Sequence, residues 1–174
     1  MNQRAYDAIK EVWTLTVKAR ALCPFIDTSA IGKKGYISPE WYQDHGAVYF
    51  VNLAKELTAA DVKELNQIGS FVNRSFVISI AAVLETNGVV RCGANPDRTK
   101  PGGHHVQLTK WLRNHFAHGE WVYDANNPKH IKTRKLIENL FSSGAADGTG
   151  FITSIDSILE PLKDGVLAYI RATT

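Results

Sequence analysis

The chain has 174 residues, which suits one domain and is long enough for a sizeable core. A hydrophobic share of 44% and a charged share of 21% are ordinary for a soluble globular protein. The formal net charge of +3 permits contact with a polyanion, but a dedicated duplex-DNA binder would carry a stronger basic signature.

The N-terminal MNQRAYDAIKEVW mixes charge and apolar residues within every turn, unlike a secretory signal. No apolar run approaches the roughly 18 to 20 residues of a transmembrane helix. A cytoplasmic protein with no membrane partner is expected. Helical periodicity dominates. Tyr6, Ile9, Val12, Trp13 and Val17 make one apolar stripe, which ends before Cys23-Pro24. Cys23 and Cys92 match no metal or redox spacing, so reduced structural thiols are expected. After the loop IDTSAIGKKGYI, Ser38-Pro39 reads as a capping hydroxyl followed by proline, and predicts a helix from Glu40 to about Glu56. Thr58 with Asp61 is a capping-box variant, from which a long helix runs to about Glu85. Its middle, FVNRSFVISIAAVL, is apolar on nearly every side, as suits a bundle centre or a subunit interface. Only Asn73 and Arg74 are strongly polar there.

Residues 86 to 103, TNGVVRCGANPDRTKPGG, form a long loop. It is locally basic through Arg91, Arg98 and Lys100 against Asp97. A helix from His104 or His105 to His118 follows, then a shorter one opened by Asn127-Pro128. After the linker-like SSGAADGTG, a last helix runs from about Ser154 to Ala172, with a kink expected at Pro161. The expected fold class is all-α, a single domain built as a bundle of five to six helices.

The stretch LRNHFAHGEW, residues 112 to 121, closes the fourth of these helices on an arginine, an amide and a histidine. On a wheel at about 100° per residue, Leu108, Trp111, Leu112, His115 and Phe116 form the apolar face. Arg113 lies on one flank; Asn114 and His118, one turn apart, share the other. Arg113 and His118 converge only if the helix loosens at Gly119, a natural left-handed residue past a helix end, or across a two-fold axis with a second copy. A structural alternative stands beside this: basic groups at a helix C-terminus favour the dipole and satisfy free carbonyls.

The string Arg113-Asn114-x-x-x-His118, followed by Gly119, resembles the arginine-to-histidine motif of the HEPN superfamily, in which Asn commonly follows the arginine. The helix order is similar as well: an apolar helix at about 60 to 85, the motif helix late, an amphipathic helix closing the chain. The resemblance implies a metal-independent endoribonuclease that acts on RNA as a homodimer and needs no cofactor. The RNA's own 2′-hydroxyl is the nucleophile, and the products carry a 2′,3′-cyclic phosphate and a 5′-hydroxyl. His118 is then the proton-transfer group and Arg113 the cation that clamps phosphate oxygens, with Asn114 as support. A toxin or anti-phage role, under a cognate antitoxin or neighbouring regulatory protein, is the implied setting. The alternatives are a non-catalytic RNA- or nucleotide-binding or dimerisation module, and a purely structural helical protein.

Other residues are candidates with plainer alternatives. His115 falls on the apolar side and is expected to be a satisfied core or interface histidine. A zinc site of His104 and His105 with Cys92 has poor ligand spacing, and no metal is expected. Arg91, Arg98 and Lys100 either hold RNA phosphates or are solvated loop charge. Trp121 and Tyr123 either stack on bases or pack. Arg74, a charge on an apolar helix, should be exposed, paired or functional; it lines the same cleft if its helix packs beside the motif helix. Glu85 is a candidate supporting carboxylate. The basic stretch from Ile131 to Lys135 is expected to be a solvated face.

Overall fold

The computed structural model describes residues 1–91, 93–142, 148–151 and 154–173. Among them the fold is all-α with one two-stranded sheet. In chain order the elements are α1 (Gln3–Leu22), β1 (Gly35–Ile37), α2 (Glu40–Asp44), β2 (Phe50–Asn52), α3 (Ala59–Thr86), α4 (Gly103–Ala117), α5 (Pro128–Phe141) and α6 (Glu160–Ala172). The chain divides into two compact units, residues 13–73 and residues 1–12 with 74–174.

In the unit of residues 13–73, the helix expected from Glu40 to about Glu56 begins at Glu40 but is cut short. α2 ends after five residues, the chain turns at Gly46 with φ +74°, and β2 returns antiparallel to β1, pairing Tyr36 with Val51 and Ile37 with Phe50. Val48, Tyr49, Phe50 and Val51 are β-branched or aromatic, and an extended chain suits them better than a helix. Nor is Ser38 the helix cap; Pro39 is, with no side-chain bond. The Ser38 hydroxyl instead accepts from the Tyr49 N–H at 2.8 Å and ties the two arms together. Ile26, Ala30, Leu57 and Val62 bury themselves here, with Tyr36, Leu53 and Leu65 packed against them.

The α3 start is as expected. The Thr58 N–H and hydroxyl both donate to the Asp61 carboxylate, at 2.8 and 2.6 Å, and the Asp61 N–H returns to Thr58 Oγ1 at 3.2 Å. Those bonds, the hydroxyl's first, hold the Asp61 carboxyl down at about 2. By length and composition alone α3 is the one described helix that could cross a membrane, with a window of mean hydropathy 1.4. Core helices pass the same test, and 39% of that window is buried inside the protein.

In the other unit, α4 packs on both α5 and α6. Gly165 permits the close approach: a Cβ there would stand 2.1 Å from the His105 ring. The Tyr169 hydroxyl accepts the Asp97 N–H at 3.1 Å and docks the long loop before α4 onto α6. Asn127 caps α5 by accepting from the Lys129 N–H, with Pro128 in the first turn. Before α6 comes a π-helical turn, Ile155–Leu159, capped by Ser154. Pro161 has no N–H to offer the Ser157 carbonyl, and it stands in the first turn of α6, directly after the wider turn. Leu162, Val166 and Ile170 of α6 are fully buried. Cys23 is a free, half-buried thiol. Cys92, and with it the zinc site weighed above, lies outside the described residues, as does the 143–147 stretch of the linker-like loop.

Candidate functional site

α4 ends at Ala117, with His118 as its C-cap. Gly119 follows in the left-handed region at φ +76°. The Gly119 N–H reaches the Phe116 carbonyl at 3.2 Å, and the Glu120 N–H reaches that of His115 at 2.8 Å. This tight exit brings Glu120 back beside the helix it has just left.

There Glu120 meets two buried histidines, His115 of α4 and His130 of α5. Its Oε2 lies 3.0 Å from His115 Nδ1 and 3.3 Å from His130 Nε2. The other bonds fix the protons. The Asp124 N–H donates to His130 Nδ1 at 3.1 Å, so the neutral His130 ring carries its proton on Nε2 and donates it to Glu120. Glu120 Oε2 can only accept, so the neutral His115 ring carries its proton on Nδ1 and donates it there, which leaves Nε2 as an acceptor for the Thr133 hydroxyl at 2.9 Å. Burial pulls His115 below its ordinary pKa, outweighing the Glu120 bond that pulls the other way. The bonds from His115 and then His130 hold the Glu120 carboxyl below its ordinary value.

Two histidines and a carboxylate with donor atoms within 4.8 Å of one another can hold a divalent ion. The hydrogen bonds do not suit one. A ligating imidazole donates its outer N–H to an acceptor, whereas His130 accepts at its outer nitrogen. Binding through Nε2 would require an imidazolate. The cluster is a lock on the turn after α4.

Beside the lock opens a cleft of about 460 Å³. α4 lines it with Trp111, Asn114 and His118, and α5 lines it with Lys129 and Lys132. The His118 side chain is exposed and makes no bond among the described residues. The Lys132 ammonium lies 4.8 Å above the Trp111 ring, a cation–π contact that holds it at the cleft.

The other candidates lie elsewhere. Arg113 faces the opposite flank from His118, as the wheel requires. Its Nη2 donates to the Glu85 carboxylate and its Nη1 to Asn114 Oδ1 at 3.2 Å. It does not line the cleft, and Glu85 serves the arginine rather than the histidine. Arg74 is also off the cleft; its guanidinium lies 4.8 Å above the Trp121 ring, which leaves Trp121 45% exposed. Tyr123 is 4% exposed, edge-on to Phe151 and covered by Arg134. It packs and has no free face for a base. Arg91 and Arg98 are exposed, Lys100 is half-buried, and none of the three lines the cleft. The stretch expected to be a solvated face instead contributes Lys132 to the cleft and buries Thr133 under His115. Sequence reasoning missed Lys129, Glu120 and His130. The one available signal was His115, a polar residue on an apolar face that needed partners for both ring nitrogens.

No family model, curated protein or solved structure matches the chain.

Proposed function

We propose that this chain is a metal-independent endoribonuclease of HEPN type, active as a homodimer, with the cleft between α4 and α5 as its site. The observation that carries the reading is the pairing of an unengaged His118 with two lysines across one cleft, with Asn114 one turn below the histidine. In the reaction the RNA 2′-oxygen bonds to phosphorus and its proton passes to His118. The bond to the 5′-oxygen breaks, and that oxygen takes a proton from water. The products are a 2′,3′-cyclic phosphate and a 5′-hydroxyl. An exposed imidazole suits the proton transfer because its ordinary pKa lies near neutrality. Asn114 would donate its amide N–H groups to the phosphate, a role supported by its Oδ1 already accepting from Arg113. A toxin or anti-phage role, held in check by a partner protein, is the setting such an activity would need.

One observation favours a second reading. Arg113, the cation of the motif, is engaged by Glu85, as in a module that binds RNA without cutting it. Total RNA and tRNA incubated in EDTA with wild type and His118→Ala, both checked for folding and dimerisation, separate the two. Cyclic-phosphate ends from wild type alone support the nuclease. RNA retained but uncut by both supports the binding module and ends the nuclease reading.

A further inference from the structure

We infer that the cleft seats a phosphate of single-stranded RNA between Lys129 and Lys132, and that Arg113 is not the cation that holds it. The inference rests on the cleft being the RNA site, and it departs from what the motif resemblance implies for Arg113.

Three observations carry it. First, the two lysines stand three apart on α5 and so share one helix face, and both line the cleft. Second, the groups around them leave the cleft positive. Its one carboxylate, Glu120, accepts from the buried histidines His115 and His130, and no acid pairs with either lysine among the described residues. Third, Arg113 is already satisfied. Its guanidinium is held by the Glu85 carboxylate outside the cleft and by Asn114 Oδ1, and turning it to a phosphate in the cleft would mean giving up the Glu85 pair. Trp111 acts as a positioning residue for Lys132, whose ammonium it keeps above its ring. Lysine supplies a point charge with rotatable donors, which suits a backbone phosphate read without regard to sequence.

The test uses full-length protein in EDTA on a His118→Ala background, so that RNA stays intact. Affinity for a short fluorescein-labelled single-stranded RNA is measured by anisotropy across a salt series. Lys129→Ala and Lys132→Ala should each weaken binding about tenfold. Each should also lower the slope of log affinity against log salt by about 0.7. Lys135→Ala, which removes the same charge from α5 outside the cleft, should leave both unchanged. Binding indifferent to Lys129 and Lys132, or lost equally with Lys135→Ala, overturns the inference. So does binding lost in Arg113→Ala while both cleft-lysine variants, folded by circular dichroism, bind as the parent does. The readout is binding, so a wild type that fails to cleave removes the nuclease reading and leaves this result standing.

Discussion

Replacing Thr133 by Val keeps the shape of the side chain and removes one oxygen. In the folded protein that hydroxyl donates to His115 Nε2 at 2.9 Å, at a site where Thr133 is 1% and His115 5% exposed. The Lys129 carbonyl keeps its α-helical bond to the backbone of residue 133, so the variant orphans a single group, the His115 Nε2 acceptor. A buried acceptor left without a partner costs about 1–3 kcal/mol. At roughly 2–4 °C per kcal/mol for a chain of this size, the melting point should fall by about 2–12 °C. Urea unfolding of a double-mutant cycle isolates the bond. His115→Phe preserves the stacking on Phe151, which has ring centroids 5.1 Å apart at 15°, and needs no donor. In that background Thr133→Val should cost little, which gives a coupling of about 1 kcal/mol or more. An equal cost in both backgrounds, or less than about 0.3 kcal/mol in the parent, would refute the assigned protons.

Acid should destabilise the protein in two ranges. Below about pH 6.5 the unfolded chain protonates a histidine that the fold, by burying His115, prefers neutral, so stability falls. The lowered Glu120 carboxyl contributes stability above the ordinary carboxylate range, lost as pH falls through its folded value. Stability measured from about pH 8 to 3 should fall below about pH 6.5 and again through the carboxylate range; His115→Phe should abolish the first fall and shrink the second, because the His115 bond is the larger hold on Glu120. Gly165→Ala should destabilise, because the added carbon would stand 2.1 Å from the His105 ring and overpacking of about 1–3 kcal/mol exceeds the roughly 1 kcal/mol alanine gains in a helix. A thermal melt showing the alanine variant to be more stable would contradict that placement.

What could be read from residues alone was local. Thr58 with Asp61, Asn127 before Pro128, and Gly119 after His118 each act within one turn of the chain, and each stands where expected. Ser38-Pro39 marked a true helix start at Glu40, but not its length; a preference of Val48 to Val51 for an extended partner cut the helix to five residues. The site was half legible. Asn114 and His118 share a flank by helix geometry, which a wheel predicts. Lys129, Lys132, Glu120 and His130 reach that flank only because α5 packs on α4 and the chain reverses at Gly119, and neither fact is written in a spacing. Tyr123 looked available because the approach of Phe151 from 28 residues away is a tertiary event.

The π-helical turn before α6 amounts to one residue of slack in the chain. A deletion inside α6 would rotate every later side chain by about 100°, turning Val166 and Ile170 out of the core. A deletion within 155–159 would only close the wide turn into an ordinary one, and the rotation would fall on the residues before it. Changes in length are therefore absorbed most cheaply there, which makes this turn the natural seam at which longer and shorter versions of the chain can share one α6.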